Sequence, residues 1–451
     1  MSAPRDAAAP GAAYRDALLA SLGVAASAPA PVPDEHPALA CAASGLMALS
    51  GQADGPPLMC PVPLATLADG ALAALATLAP QADFADLRGA RLLGERAALT
   101  GLRRQGARSA GGACRLLDAA DGAFALSLAR DDDWSLLPAW LEDDAADWDR
   151  VARLVRTRHR DELVARGRLL GLAVAPGVDA PHERTAWFEL PRGDAHFAMK
   201  PARPPRVVDL SSLWAGPLCT QLLQRCGAEV IKCESTTRPD GARQGPAAFF
   251  DLLNAGKRSV ALELHTPRGR AQLRELLLRA DIVIEASRPR ALRQMGIEAE
   301  ALLRENAGLT WVSLTGYGRA EPQAQWIAYG DDAGVAAGLS EILYRASGAR
   351  VFVGDAIADP LTGLHAALAA WASHRAGGGR LLALALRDVA RHVAQFDRPR
   401  DDEALRARQR EWTACVAGLE AGLPPARAAR GTAAALGADT TRVLQGWGIA
   451  C

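Results

Sequence analysis

The apolar pattern between Arg206 and Glu234, RVVDLSSLWAGPLCTQLLQRCGAEVIKCE, changes its period twice. Arg206–Leu210 is a short, β-rich apolar run. Apolar residues then recur at helical spacing from Gly216 to Cys226, Gly227 ends the pattern, and Glu229–Glu234 is a second strand-like run. Strand, turn, helix and strand within about thirty residues make a βαβ unit, the opening of a parallel sheet. The alternation continues beyond it. Residues 259–264, 281–286, 309–315 and 381–386 read as strands, and 267–279, 289–295, 297–306 and 361–373 as the helices between them. The expected fold class is therefore α/β, with a Rossmann-like, doubly wound parallel sheet over 206–396 as the large domain. The turn after the first strand is SSLWAGPL rather than Gly-x-Gly-x-x-Gly, which argues against a nicotinamide-dependent oxidoreductase.

Outside this region the pattern is weaker. Residues 1–35, rich in Ala and Pro, predict a flexible, frayed N-terminus apart from a helix near Tyr14–Leu22. HFAMKPARPP at 196–205 reads as a Pro-punctuated linker. The chain also repeats itself. The stretch that begins GLMALSGQADG at Gly45 aligns without gaps with the one that begins GLSEILYRASG at Gly338, at an offset of 293 residues. Gly55 meets Gly348, Gly70 meets Gly363, and AALA at 73–76 meets AALA at 366–369. Chance similarity between two Ala-rich helices is the competing explanation, and the matched glycines outside the helix weigh against it.

Composition narrows the function classes. A chain of 451 residues predicts two or three domains. Basic and acidic residues number 51 each, so no net charge draws nucleic acid or an anionic membrane. The eight cysteines form no CxxC pair and no metal-ligand spacing, and neither a metal nor a redox cofactor is expected. Cys219 and Cys226 read as small apolar filler in a buried helix. No apolar run approaches membrane-spanning length and no basic-then-apolar leader is visible, so the expected compartment is the cytoplasm.

The AGP turn, the CGAEVIK second strand and the trailing Glu234 make this segment resemble the class III (CaiB/BaiF) CoA-transferase family, which includes formyl-CoA transferase, carnitine CoA-transferase and α-methylacyl-CoA racemase. The resemblance covers most of residues 43–451 and is strongest over 206–396. GARSAGGACRLLDAADGAFALSLARDDDW, from Gly106, resembles the glycine loop, strand pair and following helix of the family's small α+β domain. LGADTTRVLQGWGI at 436–449 resembles the family's closing segment, so 397–451 is expected to return to the large domain. Residues 36–195 thus resemble the later part of a family member, and the chain from Arg206 the earlier part. The chain reads as a fusion of two partial copies. Family members form interlocked dimers, so the fusion implies either a homodimer or an intrachain pseudo-dimer.

The resemblance also assigns roles. The family's catalytic aspartate lies four residues before a Gly that opens an Ala/Leu-rich helix, and here that residue is Asp359 in DPLTG. Asp355 is the other carboxylate in the same loop. On spacing alone, an Asp near a helix start also fits a plain N-cap. Thr66 stands at the matching position of the first copy, so one chain holds at most one such site. In the family's reaction the carboxylate attacks an acyl-CoA thioester, and a mixed anhydride and then an aspartyl-CoA thioester follow before the acceptor acid takes over CoA. Gly111 and Gly112 match the loop that closes over the site. Tyr329 stands where racemases carry a His acid/base and some transferases a Tyr. Gly330 replaces an acidic residue common there, while Asp331 and Asp332 read as a solvated loop or a helix cap. CoA recognition falls on Trp214 and Ala215, on Leu262 to His265, and on Ala286, Ser287 and Arg288. Lys257 and Arg258 are further candidates, either for a phosphate or for surface ion pairs.

The leading expectation is an acyl-CoA:carboxylate CoA-transferase whose partners are a coenzyme A thioester and a carboxylic acid, with no nucleic acid or membrane. A racemase or isomerase is disfavoured, because an unperturbed Tyr with a pKa of about 10 is a poor second base near neutral pH. Trp214, where transferases carry a polar residue, and Gly330 keep open a catalytically silent CoA-binding protein.

Overall fold

The computed structural model describes residues 9–179, 181, 183–193 and 203–450. Its strands are β1 Cys114–Ala119, β2 Gly122–Ser127, β3 Ala173–Pro176, β4 Glu189–Gly193, β5 Arg206–Leu210, β6 Glu229–Ser235, β7 Arg258–Leu262, β8 Ile282–Glu285, β9 Thr310–Thr315 and β10 Arg380–Ala385. Seven of them form one sheet in the order β4-β10-β9-β8-β5-β6-β7, parallel throughout except for the β4–β10 pair. Counted from β5, the six parallel strands lie in the order 3-2-1-4-5-6, the doubly wound arrangement whose winding reverses between β5 and β8. Each predicted strand forms, with ends moved by no more than two residues. β4 was not foreshadowed: ELPRG has no apolar alternation, and its Pro suits only an edge position.

The Ala358–Arg375 helix is buried continuously from Pro360 to His374, so it carries no polar stripe. It lies against the Ala215–Arg225 helix at Gly363, where a Cβ would come within 2.7 Å of the Ala215 carbonyl oxygen. β1, β2 and β3 form a separate antiparallel sheet with its own core around Phe124 and Trp140. At the other end of the chain, Asp439 accepts the Ser259 N–H at 2.9 Å and Thr440 the Ala261 N–H at 3.0 Å, which covers the outer edge of β7.

The helix expected near Tyr14–Leu22 forms over Pro10–Ser21, four residues earlier at its start, packs on the Leu64–Leu78 helix and buries Tyr14, Leu18 and Leu19. Tyr14 Oη lies 2.6 Å from His365 Nε2, which anchors it. Residues 1–8 and the 196–202 part of the expected linker lie outside the described residues. One expectation is corrected here. Lys257 meets neither a phosphate nor the surface. Its Nζ is buried 3.1 Å from Asp209 Oδ2 and also donates to Thr220, Asn254 and the Pro217 carbonyl. Arg258 does form a part-exposed pair, with Glu229 at 3.1 Å.

The buried lysines shape the turn that follows β5. Lys232 lies 2.8 Å from Asp240 and 3.0 Å from the Ser211 carbonyl oxygen. Asp209 accepts the Ser211 N–H, and Asp240 accepts the Leu213 N–H at 3.0 Å. Leu213 is thereby held at φ 67°, a left-handed conformation that a leucine adopts only when its surroundings impose it. The same network fixes where Trp214 and Ala215 start the next helix. Among the described residues no helix is long and apolar enough to cross a membrane.

Candidate active site

A cavity of about 640 Å³ lies between the turn after β5 and the small antiparallel sheet. Both halves of the chain build it. Arg96, Gly111 and Arg130 come from the N-terminal half, and Trp214, Tyr329 and Asp359 from the C-terminal half.

The spacing of Asp359 and Gly363 has a packing reason. Residues four apart share a helix face. Gly363 lets its helix close onto the Ala215 carbonyl, and the same face then brings the Asp359 carboxylate to the start of the Ala215–Arg225 helix. There the Ala215 backbone hydrogen-bonds it. The plain-cap reading fails, because Ile357 is the N-cap and Asp359 lies in the first turn, aimed at another helix. Gly330 forms the floor beneath it. A Cβ on Gly330 would sit 2.2 Å from Asp359 Oδ2, so the acidic residue absent at this position has no room.

Burial pushes the Asp359 pKa up to about 7; the Arg96 guanidinium opposes the shift, and the neighbouring Asp331 and Asp355 add to it. Arg96 is itself held on both sides. Its Nε donates to Asp355 Oδ2 at 2.8 Å, its Nη2 to Oδ1, and its guanidinium carbon lies 5.3 Å from the Trp214 ring centroid. Asp355 is fully buried in this bidentate pair, which leaves Asp359 as the less committed of the two loop carboxylates. Asp331 also lines the cavity. It accepts the Ala356 N–H at 2.8 Å, and burial, followed by the charge of Asp355, raises its pKa to about 6.

The solvated-loop reading of Asp331 and Asp332 fails, since both lie in the first turn of the Gly330–Ala336 helix and Asp332 is fully buried. The cap reading holds for Asp332, which accepts the Tyr329 N–H at 2.8 Å; burial raises its pKa to about 8. Tyr329 caps this helix at the cavity wall, and burial raises its phenol pKa. Of the glycine pair, only Gly111 lines the cavity. Gly112 has φ 86° and spends its N–H on the Ser109 carbonyl at 2.8 Å, so it closes a turn instead of facing the site.

The expected CoA contacts divide in two. Trp214 lines the cavity, and Ala215 follows it at the helix start. Leu262 and His265 lie at the end of β7, and Ala286, Ser287 and Arg288 follow β8. They sit outside this cavity, along the carboxyl ends of the parallel strands, where doubly wound sheets bind ligands. Arg288 lines a second cavity of about 670 Å³ together with Arg168, Arg290 and Trp326. Sequence reasoning missed Arg96 and Arg130. No local spacing marks either one, since they reach the site only through contacts between distant parts of the chain.

The doubly wound order and the Asp-x-x-x-Gly helix together have a counterpart among known sequences. Residues 205–413 match the model of CoA-transferase family III. Over 201 residues the chain is 34% identical to succinate–glutarate CoA-transferase of Agrobacterium fabrum, covering 41% of this chain and 50% of that protein. It is 33% identical to mouse succinyl-CoA:glutarate CoA-transferase, covering 44% and 48%, and 29% identical to an Escherichia coli formyl-CoA:oxalate CoA-transferase, covering 44% and 50%. A solved CAIB/BAIF family protein from Brucella suis is 31% identical over 43% of this chain and 55% of that one, with a TM-score of 0.39. The chain spans about half the length of the curated relatives it matches. The family III segment contains Trp214, Tyr329 and Asp359, while Arg96, Gly111 and Arg130 lie outside it.

Proposed function

We propose that this chain is an acyl-CoA:carboxylate CoA-transferase in which Asp359 is the nucleophile. One observation carries the reading: the Asp359 carboxylate, unlike the bidentately paired Asp355, faces the cavity from the start of a helix. Removal from water raises the energy of the ionised carboxylate and strengthens it as a nucleophile, while shielding acyl intermediates from hydrolysis. An Asp359 oxygen attacks the thioester carbonyl, the C–S bond breaks, and CoA leaves as the thiolate. The thiolate then attacks the aspartyl carbonyl of the anhydride, which releases the donor carboxylate and leaves an aspartyl-CoA thioester. An acceptor carboxylate repeats the two steps in reverse, so CoA departs on the acceptor and Asp359 is restored. The Ala215 N–H and Arg96 lie where negative charge develops and fades. The scheme calls on no metal or redox cofactor, and CoA takes part as a substrate.

A racemase reading is weaker for this site. Burial raises the Tyr329 pKa, which moves that residue further from service as a second base. Trp214 and Gly330 are compatible with the transferase scheme, because one lines the cavity and the other makes room for the Asp359 carboxylate.

We also infer that the chain joins two partial copies, at 36–195 and from Arg206 onward, as an intrachain pseudo-dimer. The packing of two helix pairs supports this. A Cβ on Gly70 would meet the Gly11 carbonyl oxygen at 2.4 Å, as one on Gly363 would meet that of Ala215. The Pro10–Ser21 helix, which precedes 36–195, and the Ala215–Arg225 helix both run Leu-Leu-x-x-x-Gly into a left-handed glycine, Gly23 or Gly227. A cytoplasmic location suits the six buried free thiols.

Peptide mass spectrometry after incubation with acyl-CoA thioesters and hydroxylamine tests the main reading. The expected product is a hydroxamate on Asp359. An unmodified Asp359, with CoA binding intact, contradicts it.

A further inference from the structure

The inference concerns the acyl group, and it rests on the transferase reading. Two cations line the cavity, Arg96 and Arg130. Both already face carboxylates. Arg96 makes its bidentate pair with the buried Asp355. Arg130 donates through Nε to the buried Asp133 at 2.9 Å and through Nη2 to both Asp133 and the Gly171 carbonyl. The other charged groups on the wall, Asp331 and Asp359, are acidic. Around them stand Leu102, Leu213, Trp214, Pro246 and Phe249, with the Trp214 and Phe249 rings edge to face at 5.4 Å.

A second carboxylate carried in on the acyl group would give up water, meet only cations already paired with buried carboxylates, and lie beside two acids. An aliphatic or aromatic tail would instead bury apolar surface against matching side chains. We propose that the acyl group this chain transfers is an uncharged, apolar one, aliphatic or aromatic, and not a dicarboxylate half-thioester. The relatives named above for succinate, glutarate and oxalate cover only 41–44% of this chain, and Arg96, Leu102 and Arg130 on this wall lie outside the family III segment, 205–413.

Butyryl-CoA and succinyl-CoA share chain length and differ in the terminal carboxylate, so they isolate the effect. Calorimetric titration of Asp359→Asn with each reads binding without turnover. Butyryl-CoA and phenylacetyl-CoA are expected to bind at least about tenfold more tightly than succinyl-CoA and glutaryl-CoA, the scale of burying an unpaired charge. The same order is expected for the rate at which each donor labels Asp359 in the native chain. Leu102→Arg, which places an unpaired cation in the wall, is expected to narrow the gap. Equal or tighter binding of the dicarboxyl thioesters by Asp359→Asn would overturn the inference. Absence of labelling by any donor would overturn the transferase reading instead, and the binding order would still judge the wall.

Discussion

The helices Leu64–Leu78 and Ala358–Arg375 are built alike and serve differently. Both are apolar and Ala-rich, and both are buried over most of their length. Each presses a glycine against the first turn of another helix, Gly70 on Gly11 and Gly363 on Ala215. One turn before the glycine stands the residue that faces that neighbouring first turn. In the second helix it is Asp359, hydrogen-bonded by the Ala215 backbone at the cavity wall. In the first it is Thr66, 4% exposed, whose Cγ2 would lie 3.1 Å from a Cβ on Gly11. The glycine therefore answers a packing need common to both helices, and only the Ala358–Arg375 helix sets a carboxylate at a cavity wall with it.

Substitution at the paired positions tests this contrast most strongly. Asp359→Asn is expected to lower kcat/KM by at least about 1000-fold, whereas Thr66→Val should stay within about twofold. Steady-state transfer assays with the same donor check both, and a tenth or more of the activity surviving in Asp359→Asn would dissolve the contrast. The glycines come next. Gly70→Ala and Gly363→Ala each push a methyl into a carbonyl oxygen and are expected to cost roughly 1–3 kcal/mol of stability, read as a fall in Tm. Only Gly363→Ala should also lower kcat in molecules that remain folded, because it drives Ala215 away from the carboxylate it bonds. Equal loss of kcat in both variants would mean that the effect travels through stability alone.

The same two helices show what a sequence makes legible. The parallel strands could be read because each is a short apolar run between turn residues, and the signal lies within the run itself. Asp359 could be read because its relation to Gly363 is local, one helical turn. Arg96 is 259 residues from the Asp355 it pairs with, and nothing in the chain around ERAALTG announces a partner so distant. Lys257 was misjudged for a related reason. A lysine is exposed by default, and only the assembled Asp209, Thr220 and Asn254 cluster makes its burial tolerable. The helix near Tyr14 could be read from its own residues, but its anchor could not, because His365 lies in the other half of the chain.

The smallest expected effect is a shift along the pH axis. In the proposed reaction Asp359 must be ionised to attack, so kcat/KM should rise with pH and level off above about 7. The Arg96 charge holds that pKa down. Arg96→Ala should move the midpoint of the profile upward by roughly one pH unit, while Arg96→Lys, which keeps the charge, should move it less. Stability should follow by linkage. The folded carboxyl holds its proton more tightly than an unfolded one with the ordinary value of 3.8, so ionisation costs stability progressively as pH rises from about 4 to about 7. Asp359→Asn removes that cost. Its Tm should exceed that of the native chain at pH 8, and the difference should vanish near pH 4. A gain of the same size at both pH values would trace to new contacts of the amide, and would remove burial of the charge as the reason this carboxylate, unlike Thr66, is poised to react.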